Sequence, residues 1–244
     1  MSTYLGYFPY EPFATWTYYE PMTAIVVVHT ADGFVIGADG RRFDSVTGTF
    51  KTDNAKKVFL FESEKIRLAY AWTGSTQASD TSGLVYDLLA ASEEMLPLVV
   101  KSDSHNFASF ISAFCSALAT KLPRQMTNMP KEELARGVFA GYFQGQPFSA
   151  HIQVLYPLTF LMVLPEVHFP VQYHKAIFSG AESIFSSKYA DWNPQSGTEA
   201  SKFVEEYIRD CSDSSNPDCA GIGGHIHIAE LKPKQWQWII APVD

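Results

Sequence analysis

The chain has 244 residues, 46% of them hydrophobic and 18% charged, with a net charge of -8. That length is enough for a full hydrophobic core in a single domain without staples. No run of Lys or Arg stands out, which argues against a nucleic-acid partner, and no apolar run approaches the 18 residues of a membrane helix. Three cysteines, Cys115, Cys211 and Cys219, form no CxxC pair. Their odd number fits a reducing compartment, and a cytoplasmic location is expected.

Residues 1–22 carry eight aromatics and three prolines without a basic start or an apolar block. They are no secretory signal; an aromatic-rich extension or propeptide is expected, with one domain over 23–244. Thr23–Val28 is a β-branched run without polar alternation, so a strand covered on both faces is predicted. Ala31-Asp32-Gly33 supplies a turn, and Phe34–Asp39 the returning strand. Thr23 and Asp39 are equidistant from Ala31, so the hairpin brings them opposite each other or nearly so. The pair Lys56-Lys57 follows.

Val58–Phe61 and Ile66–Trp72 read as a second hairpin, broken by Thr73-Gly74-Ser75. A helix is expected from there to about Leu96. A second, at roughly 105–122, shows Phe107, Phe110, Ile111, Phe114 and Leu118 along one stripe. After a polar connector at 124–136, strands are expected at Val138–Phe143, His151–Tyr156 and Phe160–Leu164. Helices follow at about 181–190 and 198–211, the latter opened by a Ser196/Glu199 capping box. The last hairpin is His225–Leu231 with Trp236–Ile240.

Blocks of strands and helices in this order predict an α+β fold. Two antiparallel sheets stacked face to face, with a helix pair outside each, would bury every apolar face, making a four-layer αββα sandwich.

With that order in hand, TAIVVV, DGFVIGADGR, KKVF, AWTG, FSG and GIGGHIHI together resemble the proteasome β-type subunits, which are N-terminal-nucleophile threonine hydrolases. The resemblance covers about residues 22–240 and implies the αββα fold. It also implies a catalytic set: Thr23 as nucleophile, Asp39 and Lys57 as its charged partners, Gly74 as an oxyanion donor, and Ser179 and Asp218 as supports of the threonine amine. Arg41 matches an arginine two residues beyond the aspartate. The chain departs from the pattern at Met22, where the family has glycine. The late Asp-x-x-Ser-Gly-Gly stretch is present only as Asp218, Gly221 and Gly223-Gly224.

The implied chemistry is attack by the Thr23 hydroxyl with its own α-amine as base, a group whose reference pKa lies near ~8. It requires scission of the Met22–Thr23 bond, by self-cleavage, by another protease, or by methionine removal from a chain started at Met22. The resemblance further implies a peptide or unfolded-protein substrate, a homo-oligomeric ring and an unfoldase partner. Two other readings stand beside the peptidase: a non-catalytic structural subunit of a similar assembly, and a stand-alone amidase.

No cofactor or metal is assigned. Gly221–Gly224 precedes a strand and not a helix, which removes the basis for phosphate binding. His225 and His227 share a strand face, but without a third ligand their structural reading is preferred.

Overall fold

A computed structural model describes residues 23–43, 48–80, 83–102, 104–122, 133–156, 161–168, 176–181, 189 and 191–243. The N-terminal extension and most of the helix expected at 181–190 lie outside them.

Two five-stranded antiparallel sheets carry the fold. The first runs β12-β1-β2-β13-β14, with β1 at Ala24–Thr30, β2 at Gly33–Ala38, β12 at Ala176–Gly180, β13 at His227–Leu231 and β14 at Trp236–Ile240. The second runs β11-β10-β9-β6-β5, with β5 at Val58–Glu62, β6 at Ile66–Gly74, β9 at Glu133–Phe143, β10 at Gln146–Leu155 and β11 at Met162–His168. Two short ribbons complete the strands: β3 (Arg42–Phe43) with β4 (Phe50–Thr52), and β7 (Gln77–Asp80) with β8 (Gly83–Asp87). The helices are α1 (Leu88–Val100), α2 (Phe107–Lys121) and α3, at Gly197–Asp213.

The period-two alternation of each strand sorts its side chains between two cores. Ile25, Val27, Phe34 and Ile36 of the first sheet meet Ala69, Ala71, Val138 and Ala140 of the second, which places one apolar cluster between the sheets. On the far side of the second sheet, Phe139, Phe148 and Ile152 pack on Phe110, Ile111, Phe114 and Leu118 of α2 and on Leu96 of α1. On the far side of the first, Val26, Val28 and Val35 pack on Phe203, Val204, Tyr207 and Ile208 of α3. All seven residues of β1 are therefore buried, which is why its sequence shows no polar alternation.

The α+β class follows from these elements. Several boundaries differ from the sequence reading, each for a local reason. Residues 77–80 and 83–87 do not extend the first helix but form the β7–β8 ribbon. The helix starts only where the Asp87 carboxylate accepts the Ala90 N–H and caps it,. β9 begins at Glu133, five residues earlier than its apolar run, because it pairs with β10 from Glu133 and with β6 from Ala135 onwards. The second helix keeps its expected span because Asn106 and Ser109 close a reciprocal capping box,. At α3, Ser196 caps as expected, but Glu199 reaches the N–H of Gln195, one residue upstream of the box partner.

Ile36 is fully buried between the sheets. Ile36→Ala is expected to cost about 2–5 kcal/mol in urea unfolding. Leu98→Ala, at an exposed position of α1, is expected to stay within about 0.5 kcal/mol.

Candidate active site

The β1–β2 hairpin turns on Ala31 and Asp32, with Thr30 paired to Gly33. This register sets Ala24, not Thr23, against the residue after β2: Asp39 N–H donates to the Ala24 carbonyl at 3.3 Å. Thr23 thus lies one residue beyond the pairing expected from equal spacing about Ala31. The two side chains still meet, because Lys57 bridges them. Its Nζ lies 3.1 Å from Thr23 Oγ1 and 3.1 and 3.0 Å from the two oxygens of Asp39.

Asp39 is fully buried and its carboxylate gathers donors from three segments. Ala24 N–H reaches Oδ1 at 3.0 Å, and Arg41 and Gly223 N–H reach Oδ2 at 3.2 Å each. Such a ring of donors stabilises the ionised carboxylate. Burial is nonetheless the larger influence: it raises the pKa of Asp39 against the pull of Lys57 and the backbone donors. It likewise lowers that of Lys57, against the pull of Asp39.

Lys57 is positioned from behind by a residue whose role the sequence did not disclose. The buried His227 ring accepts the backbone N–H of Lys57 at 2.9 Å and of Val58 at 3.2 Å, both on Nε2. An Nε2 that accepts two donors carries no proton, so the ring is neutral with its hydrogen on Nδ1. Burial, then the Lys57 cation, push the His227 pKa down to about 4. Its strand neighbour His225 is taken up elsewhere, by the Ala241 carbonyl at 2.7 Å. The alternation of the two histidines was legible; the loop that would reach back to one of them was not.

Ser179 and Gly180 flank the threonine from β12. Ser179 pairs with Ile25, is buried, and its Oγ finds no hydrogen-bond partner among the described residues. Gly180 pairs with Ala24, and a Cβ there would stand 1.5 Å from the Thr23 carbonyl oxygen. Only glycine lets β12 approach so closely. Gly74 ends β6 at φ 87°, a left-handed turn that glycine adopts freely,.

Asp218 takes no part in this group. It is exposed in a 3-10 turn at Pro217–Cys219, and among the described residues no hydrogen bond or ion pair joins it to Thr23, Lys57 or Asp39. The late glycine run enters the site instead through the Gly223 N–H on Asp39. Arg41 pairs with Asp53 at 2.7 Å and braces the loop that delivers Lys57.

The chain is similar in fold to Anbu from Hyphomicrobium sp. strain MC1, solved as a Gly-1 mutant. The two are 14% identical, the match covers 90% of this chain and 88% of that one, and the TM-score is 0.54. It is also similar to Anbu, the ancestral beta-subunit, from Yersinia bercovieri, at 10% identity over 90% and 88% of the two chains with a TM-score of 0.50. No family model matches, and neither does any curated protein. The likeness is therefore to a proteasome-like β-subunit at the level of the fold.

The family expected from sequence needs correction on this point. The two solved structures just named are Anbu proteins, a distinct proteasome-like family, and the chain is not placed among the proteasome β-type subunits or the N-terminal-nucleophile hydrolases. The physical reason is the level at which the likeness holds. Strand order and core patterning persist at 10–14% identity because many sequences satisfy them, and they do not carry site chemistry with them.

The neutral His227 makes stability pH-dependent in a defined direction. Its folded pKa lies below the unfolded value, so its contribution is complete above about pH 6.5 and is lost as pH falls towards about 4,. A loss of up to about 3 kcal/mol across that window is expected. Urea unfolding from pH 7 to pH 4, compared between the wild type and His227→Gln, should show the wild type losing more; parallel curves would refute the assignment.

Proposed function

We propose that the chain is a threonine-type peptidase whose nucleophile is the Thr23 hydroxyl, freed as the first residue by scission after Met22. The observation that carries this reading is the buried contact of Lys57 Nζ with both Thr23 Oγ1 and Asp39.

An ammonium has three hydrogens, and here they face Thr23 Oγ1 and the two Asp39 oxygens. Lys57 in that state cannot take a proton; it stabilises negative charge as it grows on Oγ1. The proton must go elsewhere, and the α-amine of a mature Thr23 lies on the same residue with a pKa suited to the task. The cation beside it favours the neutral, basic form of that amine. Attack on a peptide carbonyl would form an acyl ester on Thr23 and release the amine product, and water would then hydrolyse the ester. The left-handed turn at Gly74 is the proposed oxyanion donor, and Ser179 Oγ, buried without a partner, the proposed support for the amine. Asp218 is left out of the proposal because it is exposed.

A four-layer αββα arrangement is part of the same reading. So is assembly with copies of itself around a confined peptide or unfolded substrate. The fold-level likeness to Anbu supports both.

One observation favours a second reading. Thr23 is preceded by Met22, and with that bond intact its nitrogen is an amide and no base. A chain that keeps the bond would be a non-catalytic subunit.

Intact mass and peptide turnover decide between them. Protein from its native host is expected at the mass of Thr23–Asp244 and to hydrolyse fluorogenic peptides. Thr23→Ala should abolish turnover, and Lys57→Ala should lower it roughly 10²–10³-fold. Turnover undiminished in Thr23→Ala would sink the proposal, and an inert chain still carrying residues 1–22 would establish the second reading.

A further inference from the structure

A second cluster lies at the edge of the second sheet, away from Thr23. His151 on β10 pairs directly with Glu166 on β11, and His168 follows two residues later, opposite Ser149. The period of two puts all three on one face of the sheet. That face is not the one turned to α1 and α2, where Ala150, Ile152 and Val167 pack. The ligating atoms of the three side chains all lie within 4.8 Å of one another, and the two imidazole rings sit 5.1 Å apart, edge to face.

Two features of the cluster ask for an occupant. Nε2 of His151 and Nε2 of His168 are both buried, and neither has a hydrogen-bond partner among the described residues. A buried polar atom left unpaired is costly, and here two of them belong to the histidines of one three-residue cluster. The carboxylate itself is on an exposed residue, so it can swing. The nearest fixed cation, Arg136, already forms an ion pair with Glu133 at 3.1 Å.

We propose that His151, Glu166 and His168 bind a zinc ion. Two imidazoles and one carboxylate are a donor set that suits zinc and its borderline neighbours and not magnesium or calcium, which take oxygen. Bonds of ~2.1 Å in a tetrahedron place ligand atoms ~3.4 Å apart. The ligating atoms, now within 4.8 Å of one another, would close to that spacing by movement of the two rings and of the exposed Glu166. Three protein ligands leave a fourth position for water. The ion would satisfy both orphaned nitrogens and clip the edge strand β11 to β10. The site is independent of the Thr23 group.

The full chain, stripped with a chelator and dialysed, is titrated with zinc by calorimetry and with cobalt(II) by visible absorption. The wild type is expected to take up one ion per chain with the intense absorption of tetrahedral cobalt. His151→Ala and Glu166→Gln are expected to lose no less than about tenfold in affinity. Glu166 is exposed, so its glutamine variant keeps the test valid even if loss of His151 disturbs folding. A wild type that binds no zinc overturns the proposal, because the orphaned nitrogens are then met by water. Variants that bind like the wild type overturn it equally, and a loss confined to His225→Ala would put the ion at the other histidine pair.

Discussion

The buried contact between Asp39 and Lys57 is the constraint on which the rest of the site depends. Removing two charges from water costs several kcal/mol per ion, and their attraction recovers this only if the remaining donors and acceptors are also satisfied. Here they are. Three backbone N–H groups from three separate segments converge on Asp39, and the Lys57 hydrogens meet Asp39 and Thr23. A pair of well-packed apolar residues would stabilise a fold at least as well. What the ion pair supplies in addition is a fixed direction for the ammonium, and it points at a hydroxyl.

Three loops must be held together for that geometry, and the fold ties them twice. Gly223 uses its N–H on Asp39 while its carbonyl accepts the N–H groups of Gly40 and Arg41. His227 then holds the backbone of Lys57 and Val58, and Asp53, paired with Arg41, uses its carbonyl to accept the His225 N–H. The start of β13 is thereby a scaffold for the site, although none of its side chains reaches Thr23. A mechanism read only from Thr23, Asp39 and Lys57 would miss that the lysine is positioned by a histidine that has to remain neutral.

How much of this was legible follows the range of each signal. The hairpin from Thr23 to Asp39 was readable because its strands are adjacent in sequence and its turn is short. Its ends were expected opposite each other or nearly so, and they lie one residue off exact opposition, since equal spacing about Ala31 cannot tell a two-residue turn from a three-residue one,. The α2 stripe and the Ser196 cap were readable for the same local reason. The β7–β8 ribbon was not, because its leucine and valine also fit the face of a helix. The partnership of Lys57 with His227 joins residues 170 positions apart, and no local pattern encodes it. Asp218 was expected from a motif only partly present, and the loop spends its glycine N–H on the site where its carboxylate was awaited.

The arrangement around Thr23 leaves one proton without a destination, and that gap is itself informative. Lys57 already directs its hydrogens at three oxygens, Asp39 is enclosed by donors, and His227 faces the lysine backbone and not the threonine. Among the described residues no free base touches Oγ1. A hydroxyl held by a cation and lacking a base is activated halfway: its anion is stabilised, but nothing removes the proton. On the proposed reading, the missing group would be supplied by breaking one bond of the chain itself, because the amine of a first-residue threonine is covalently placed beside its own hydroxyl. Scission after Met22 would then act as the switch of the site. On the proposed reading, the Lys57–Asp39 pair would be a well-satisfied but chemically idle contact before it, and after it the same atoms would surround a nucleophile and its base.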